Sequence, residues 1–245
     1  MIDKECVKNS FKKNLSTYND NAIVQKKMAS KLISLCPKKD FYRILEIGAG
    51  TGLLTELIVE KNDYKQFYIN DIVKECCGFI DTDEKKIFIE GDFDSVEFPI
   101  NMDLIISNAA LQWSSDKVNL IKKIAMTLTS EGIFAFSTFS TQNYREIEKI
   151  TGISLTYLSI SEMSMILSEF FDIVHISEDV HELEFDSFKD LLRHIRLTGV
   201  NAISSKKMCV SDLKNMEKSY KQNYYQGDKF MLTYNPMYVI ASKRF

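Results

Sequence analysis

Glu46, Gly48, Gly50 and Gly52 fall at alternate positions in the run Ile44-Leu45-Glu46-Ile47-Gly48-Ala49-Gly50-Thr51-Gly52-Leu53. An acidic residue closing an apolar run, then glycines spaced GxGxG, suits a strand, a tight turn and a helix start that bring backbone close to a ligand. The same letters also serve structural turns and other phosphate loops. Three later runs end in comparable residues. Gln66 to Ile69 ends in Asn70-Asp71, where a carboxylate can accept hydrogen bonds from both hydroxyls of a ribose. Lys86 to Ile89 leads into Gly91-Asp92-Phe93, a polar side chain and an aromatic face suited to an adenine ring. Asp103 to Ile106 leads into Ser107-Asn108-Ala109-Ala110-Leu111-Gln112-Trp113. Four such tips fit a ligand lying along the carboxyl edge of an open parallel sheet.

The elements that must position these tips are legible from period and punctuation. Two helices come first: Val7, Phe11 and Leu15 share one face, and Ala22, Gln25, Met28, Ala29, Leu32 and Leu35 another. Tyr18-Asn19-Asp20 separates them, with Asn19 or Asp20 as the expected cap of the second. From Tyr42 to about Thr138 strands and helices alternate, which predicts a mostly parallel sheet covered on both faces. A helix over Glu162–Phe170 precedes a long strand from Ile173 to about Phe185. The last strand, Met231 to Ser242, contains Pro236, whose missing N–H must be tolerated. These two long strands suggest an antiparallel end to the sheet. The intervening segment, 187–228, predicts two helices, one with Lys189, Arg193 and Arg196 beside its apolar face. The expected organisation is one domain over 1–245: N-terminal helices (1–40), a core (41–186 and 229–245) and a helical lid (187–228).

The 245 residues carry a net charge of −3, which argues against a nucleic-acid partner. No apolar run approaches the roughly 20 residues of a membrane helix, and Met1 to Asn14 is polar and charged, so no membrane association and a cytoplasmic location are expected. Five scattered cysteines and three histidines lack metal-ligand spacing, and no metal is predicted. Asn235-Pro236-Met237-Tyr238 superficially resembles the Asn-Pro-Pro-Tyr motif of amine methyltransferases, but lies in the last strand and reads as structural.

The GxGxG loop with Asp71 and Asp92 resembles the class I S-adenosylmethionine (SAM) methyltransferases. That resemblance implies a Rossmann-like α/β fold with a mostly parallel seven-stranded sheet, helices on both faces and an antiparallel last strand. A narrower resemblance rests on Tyr18-Asn19-Asp20 with Gln25 and Met28-Ala29, Leu111-Gln112-Trp113, and Ser137-Thr138-Phe139. It extends to Leu191-Leu192-Arg193-His194-Ile195-Arg196 with Thr198-Gly199-Val200-Asn201, and to Leu232-Thr233-Tyr234-Asn235-Pro236. These segments, spread over nearly the whole chain, are similar to the methyltransferases of biotin synthesis. That family methylates the free carboxyl of malonyl-acyl carrier protein, masking it for elongation toward pimelate.

The resemblance implies that Glu46, Gly48, Gly50 and Gly52 shape the loop around the SAM methionine moiety. Asp71, beside Ile72, would bind the ribose, Asp92 and Phe93 the adenine, and Asn108 would lie near the methionine end. Tyr18 and Gln25 would close over the cofactor beside the methyl group, although Tyr18 can also simply pin the N-terminal segment. Trp113 reads either as core or as a wall of the malonyl tunnel. Arg193 and Arg196 read as a solvated face, or as a malonyl clamp or carrier-docking surface extended by Lys189, Lys206 and Lys207. His194 reads as a group that orients substrate, or as a packed or exposed histidine.

The implied partner is malonyl-acyl carrier protein, with malonyl-CoA a poorer substrate. Rival readings are a methyltransferase for a small free acid, a silent SAM-binding protein, and a nicotinamide oxidoreductase, the last disfavoured by GxGxG.

Overall fold

The computed structural model describes residues 3–37, 40–198 and 210–244. The apolar runs before each polar tip form parallel strands: β1 (Phe41–Ile47), β2 (Tyr64–Asp71), β3 (Lys86–Glu90), β4 (Met102–Asn108) and β5 (Leu128–Phe139). With β6 (Phe171–Glu178) and β10 (Pro236–Lys243) they make a seven-stranded sheet in the order β3-β2-β1-β4-β5-β10-β6. β10 runs antiparallel to both of its neighbours. The strand order reverses between β1 and β4, and at such a switch point an open sheet leaves a crevice beyond its carboxyl ends.

Residues of alternating parity in a strand point to opposite faces. Ile44, Leu104 and Ile106 join the core shared with Val24, Met28, Leu32 and Ile58. These last belong to α2 (Ile23–Leu35) and α3 (Leu53–Lys61). Leu45, Ile47 and Ile105 face the opposite way, onto Leu120, Ile124 and Leu167 of α4 (Lys117–Thr127) and α6 (Ile160–Leu167). Removing apolar surface from water on both faces contributes most to holding such a sheet together.

Several boundaries differ from the sequence reading. α1 (Lys4–Asn21) runs through Tyr18-Asn19-Asp20 and stops only at Ala22, where ψ is 46° and no side chain caps α2. Asn19 serves the glycine loop instead, accepting from Thr51 Oγ1 at 2.5 Å. The two expected long strands are each broken in two. The first divides into β6 and β7 (His181–Phe185), the second into β9 (Lys229–Tyr234) and β10. Both breaks lie at one level: Asn235 Nδ2 donates to the Asp179 carbonyl at 2.7 Å, and Asp179 N–H to the Pro236 carbonyl at 2.9 Å. Pro236 opens β10, where a missing N–H is tolerated even inside the sheet.

Beyond the breaks, β9 pairs antiparallel with β7 and with the short β8 (Tyr225–Gln226) as a second, three-stranded sheet. It packs with α7 (Phe188–Leu197) and α8 (Val210–Tyr224) through Phe188, Leu191, Ile195, Met216, Tyr220 and Phe230.

Candidate active site

The turn after β1 is built by glycine at two positions. Gly48 has φ +71°, and a Cβ there would lie 2.4 Å from Cβ of Ala110. Gly50 has φ +57°, and a Cβ there would lie 3.1 Å from the Phe11 ring of α1. Positive φ and close approach together explain why neither position suits an L side chain. The N–H groups of Gly48 and Ala49 both donate to the Asn70 carbonyl, tying the loop to the tip of β2.

Asp71 locks that tip. Its Oδ2 accepts from Gly50 N–H and its Oδ1 from Val73 N–H, each at 2.8 Å. Burial pushes the Asp71 carboxyl upward, against the pull of these two donors. Cys76 and the Ile72 backbone also donate to this carboxyl. Glu46 is also buried, accepts from Thr55 Oγ1 at 2.6 Å, and is pushed by burial up to about 8.

A cleft with about 1090 Å³ of empty space, counted to its open mouth, runs along these tips. Tyr18, Gln25, Glu46, Gly48, Gly50, Asp71, Ile72, Asp92, Phe93, Asn108 and Trp113 all line it, so most of the residues expected from sequence converge. Asn108 is held from both sides: Nδ2 donates to the Gln25 carbonyl at 3.1 Å, and Oδ1 accepts from Ser137 Oγ at 2.6 Å. The next residue, Ala109, has φ +51°, a strained turn of the kind that accumulates at functional sites. Trp113 follows in a short 3-10 turn, Leu111–Trp113.

Four expected residues are not on the cleft wall. Gly52, with φ +85°, caps α3 just behind the loop. Arg193 and Arg196 are exposed on α7. His194 is buried, its Nε2 2.7 Å from the Tyr234 hydroxyl, and desolvation pushes it down to about 4. It is a packed neutral histidine, which corrects its reading as a substrate ligand. Lys206, Lys207 and the Gly199-Val200-Asn201 segment lie outside the described residues.

The sequence reading also missed wall residues. Lys4, Lys8 and Phe11 of α1 line the cleft, as does Thr198 after α7. Lys4 Nζ reaches Asp92 at 2.6 Å and also pairs with Asp94. The four-residue spacing of Val7, Phe11 and Leu15 marked an apolar face without saying what it covers.

Residues 45–136 match a family model described as a methyltransferase domain. A malonyl-[acyl-carrier protein] O-methyltransferase of Calditerrivibrio nitroreducens is 37% identical over 239 residues, 96% of each chain. One from Chlorobium luteolum is 36% identical over all of this chain and 97% of that one. Among solved structures, a methyltransferase from Bacillus halodurans superposes with TM-score 0.67 at 10% identity, covering 89% of this chain and 100% of that one. The N-methyltransferase NodS of Bradyrhizobium japonicum, solved with S-adenosylhomocysteine, gives 0.59 at 12% identity over 98% and 99%. These last two likenesses bear on the fold. The glycine-built cleft at the β1/β4 switch point and the full-length relatives lead to one conclusion: the chain belongs to the malonyl-[acyl-carrier protein] O-methyltransferases.

Proposed function

We propose that this protein transfers a methyl group from SAM to the free carboxyl of malonyl-acyl carrier protein, the masking step that the biotin-synthesis resemblance implies. The observation that carries this reading is the lining of the cleft, where Asp71, Asp92 and Glu46 share the wall with Tyr18, Gln25, Asn108, Gln112 and Trp113, side chains that carry no charge at neutral pH.

The residues present fit SAM. Oε1 of Gln25 is buried with no partner, a polar atom awaiting a ligand. The Gly48–Gly50 turn leaves backbone free to approach closely, as a nucleoside-bearing ligand requires. Asp71 would hold the ribose, Asp92 and Phe93 the adenine, and Glu46 and Asn108 the amino-acid end. When bound, SAM supplies a methyl group on a sulfonium. The chain's own task is positioning and exclusion of water, worth up to about 7–11 kcal/mol in favourable systems. A malonyl carboxylate is already ionised at pH 7, so the neutral wall suits it: no base is needed. α7, with exposed Lys189, Arg193 and Arg196, is the surface offered to the acidic carrier.

The test is mass spectrometry of malonyl-acyl carrier protein after incubation with the enzyme and SAM, with malonyl-CoA and free malonate in parallel. A methyl gained fastest by the carrier species is the expected result. Methylation of free malonate alone would move the function to small-metabolite chemistry.

A further inference from the structure

Lys4, Val7, Lys8, Phe11 and Tyr18 of α1 line the cleft. Of the expected lid, 187–228, only Thr198 does so among the described residues. Lys4 Nζ lies 2.7 Å from Oδ1 and 2.6 Å from Oδ2 of Asp92, just beyond β3, and also pairs with Asp94. The same ammonium is 5.4 Å from the centroid of the Phe93 ring. Further along, the Phe11 ring rests on the glycine turn, where a Cβ on Gly50 would meet it at 3.1 Å. Phe11 also packs on Ile72 and Val73 beside the tip of β2. The first half of α1 therefore roofs the loop and strand tips where the nucleoside of SAM is expected.

That roof is held unevenly. Leu15 is the only buried residue of this 18-residue helix, whereas the 13-residue α2 buries six. Leu15 packs on Val73 and Cys76, Asn14 Nδ2 donates to the Arg196 carbonyl at 3.1 Å, and Asn19 accepts from Thr51. All three ties fall from Asn14 onward. Before Asn14 the helix has the Asp3 cap, half-buried Val7 and Phe11, and ion pairs open to solvent. Those pairs are Lys4 with its two acids and Lys12 with Glu75. Solvent-exposed pairs hold weakly. A few helical turns with no buried side chain have little to keep them formed, so they peel at far lower cost than global unfolding.

We propose that the first half of α1, Lys4 to Phe11, is the moving cover of the cofactor site, pivoting near Asn14 and latched by Lys4 on Asp92 and Asp94. The inference rests on the SAM reading above and adds how the cofactor is exchanged. Every turnover admits SAM and releases S-adenosylhomocysteine past this wall. A cover that closes on the nucleoside excludes water and commits the cofactor to one orientation. The second carboxylate lets the latch stay closed over a ligand: adenine can share Asp92 while Asp94 keeps Lys4. Asp94 is itself fixed by Ser114 Oγ and Ser115 N–H, each at 2.8 Å, so the latch closes onto a rigid post.

Amide hydrogen exchange on the full chain reads the motion without any substitution. In the ligand-free protein, amides of residues 7–12 should exchange about tenfold faster than those of residues 16–21, and saturating S-adenosylhomocysteine should slow them about tenfold. Equal protection along α1 without ligand, or no slowing when it binds, would overturn the proposal. The latch is tested by stopped-flow binding of S-adenosylhomocysteine, followed by fluorescence of Trp113, the single tryptophan of the chain and part of the cleft wall. Lys4→Met keeps the apolar stem and removes the charge. It should speed association about twofold and dissociation about fivefold, within what a partly exposed pair can supply. Lys4→Arg should restore the wild-type rates. Faster dissociation in Lys4→Met with association unchanged would make Lys4 a fixed contact and remove the latch. A wild type that shows both signatures yet never methylates the malonyl carrier would sink the functional reading and leave the cover standing.

Discussion

Gly48 and Glu46 are two positions apart and are constrained by different physics. At Gly48 the limits are steric: positive φ, and Ala110 where a side chain would go. Gly48→Ala should cost about 1–3 kcal/mol through strain and overpacking and abolish tight cofactor binding; a normal thermal midpoint with normal affinity in calorimetry would refute this. At Glu46 the limit is electrostatic. Its folded-state carboxyl sits near 8, above the unfolded value of about 4.5, so the folded state holds the proton more tightly. The associated stability is complete below about pH 4.5 and is lost as pH rises through about 8. Glu46→Gln should therefore stabilise the ligand-free protein at pH 8 by on the order of 2 kcal/mol and flatten its pH dependence over that window. Melting curves from pH 5 to 9 on both proteins check the sign.

Among the elements, α1 does the least expected work. Its first turn places Lys4 on Asp92 and Asp94, its middle lays Phe11 against Gly50 and edge-on to Tyr18 at 4.9 Å, and Asn14 Nδ2 reaches the Arg196 carbonyl of α7 at 3.1 Å. One helix thus spans the Asp92 wall of the cleft and the basic helix. Burial pulls Lys4 downward, but its bonds to Asp92 and Asp94 win and raise it, so it stays charged. Asp94 is also gripped by Ser114 Oγ and Ser115 N–H, each at 2.8 Å, which couples α1 to the turn bearing Trp113. A partly exposed pair contributes little by itself, roughly 0.2–1 kcal/mol. Lys4→Ala should accordingly weaken cofactor binding about two- to fivefold at low salt, and the difference should shrink at high salt. Equal affinities at low salt would show that the pair does not hold α1 over the site.

On the scale of the whole molecule, the protein is acidic at −3, yet exposes Lys189, Arg193 and Arg196 together on α7. A basic helix on an acidic body steers an acidic partner to one place, chiefly through the association rate. The double variant Arg193→Ala/Arg196→Ala should lower kcat/KM for the carrier-bound substrate about three- to tenfold and flatten its salt dependence, while cofactor affinity holds. An unchanged salt profile would remove α7 from the docking surface.

Local period and backbone sterics were enough to reveal the α/β alternation, the glycine turn, and the acids at the tips of β2 and β3. The roles of Gln25, Asn108 and Trp113 came instead from the resemblance to the biotin-synthesis methyltransferases, although the segment Ser107 to Trp113 was already legible as a strand tip. What touches what over long separations emerged only in the folded chain. Asn235 bonding to Asp179 breaks two apparent strands into four and turns their outer halves into a second sheet. His194, open in the sequence to a substrate role or to simple packing, is buried against Tyr234, 40 residues away. Tyr157, unmarked in the sequence, accepts from Asn143, whose amide is oriented by Asn235 N–H. Hydrogen-bond partners across 14 to 92 residues leave no local pattern, so no reading of spacing could have found them.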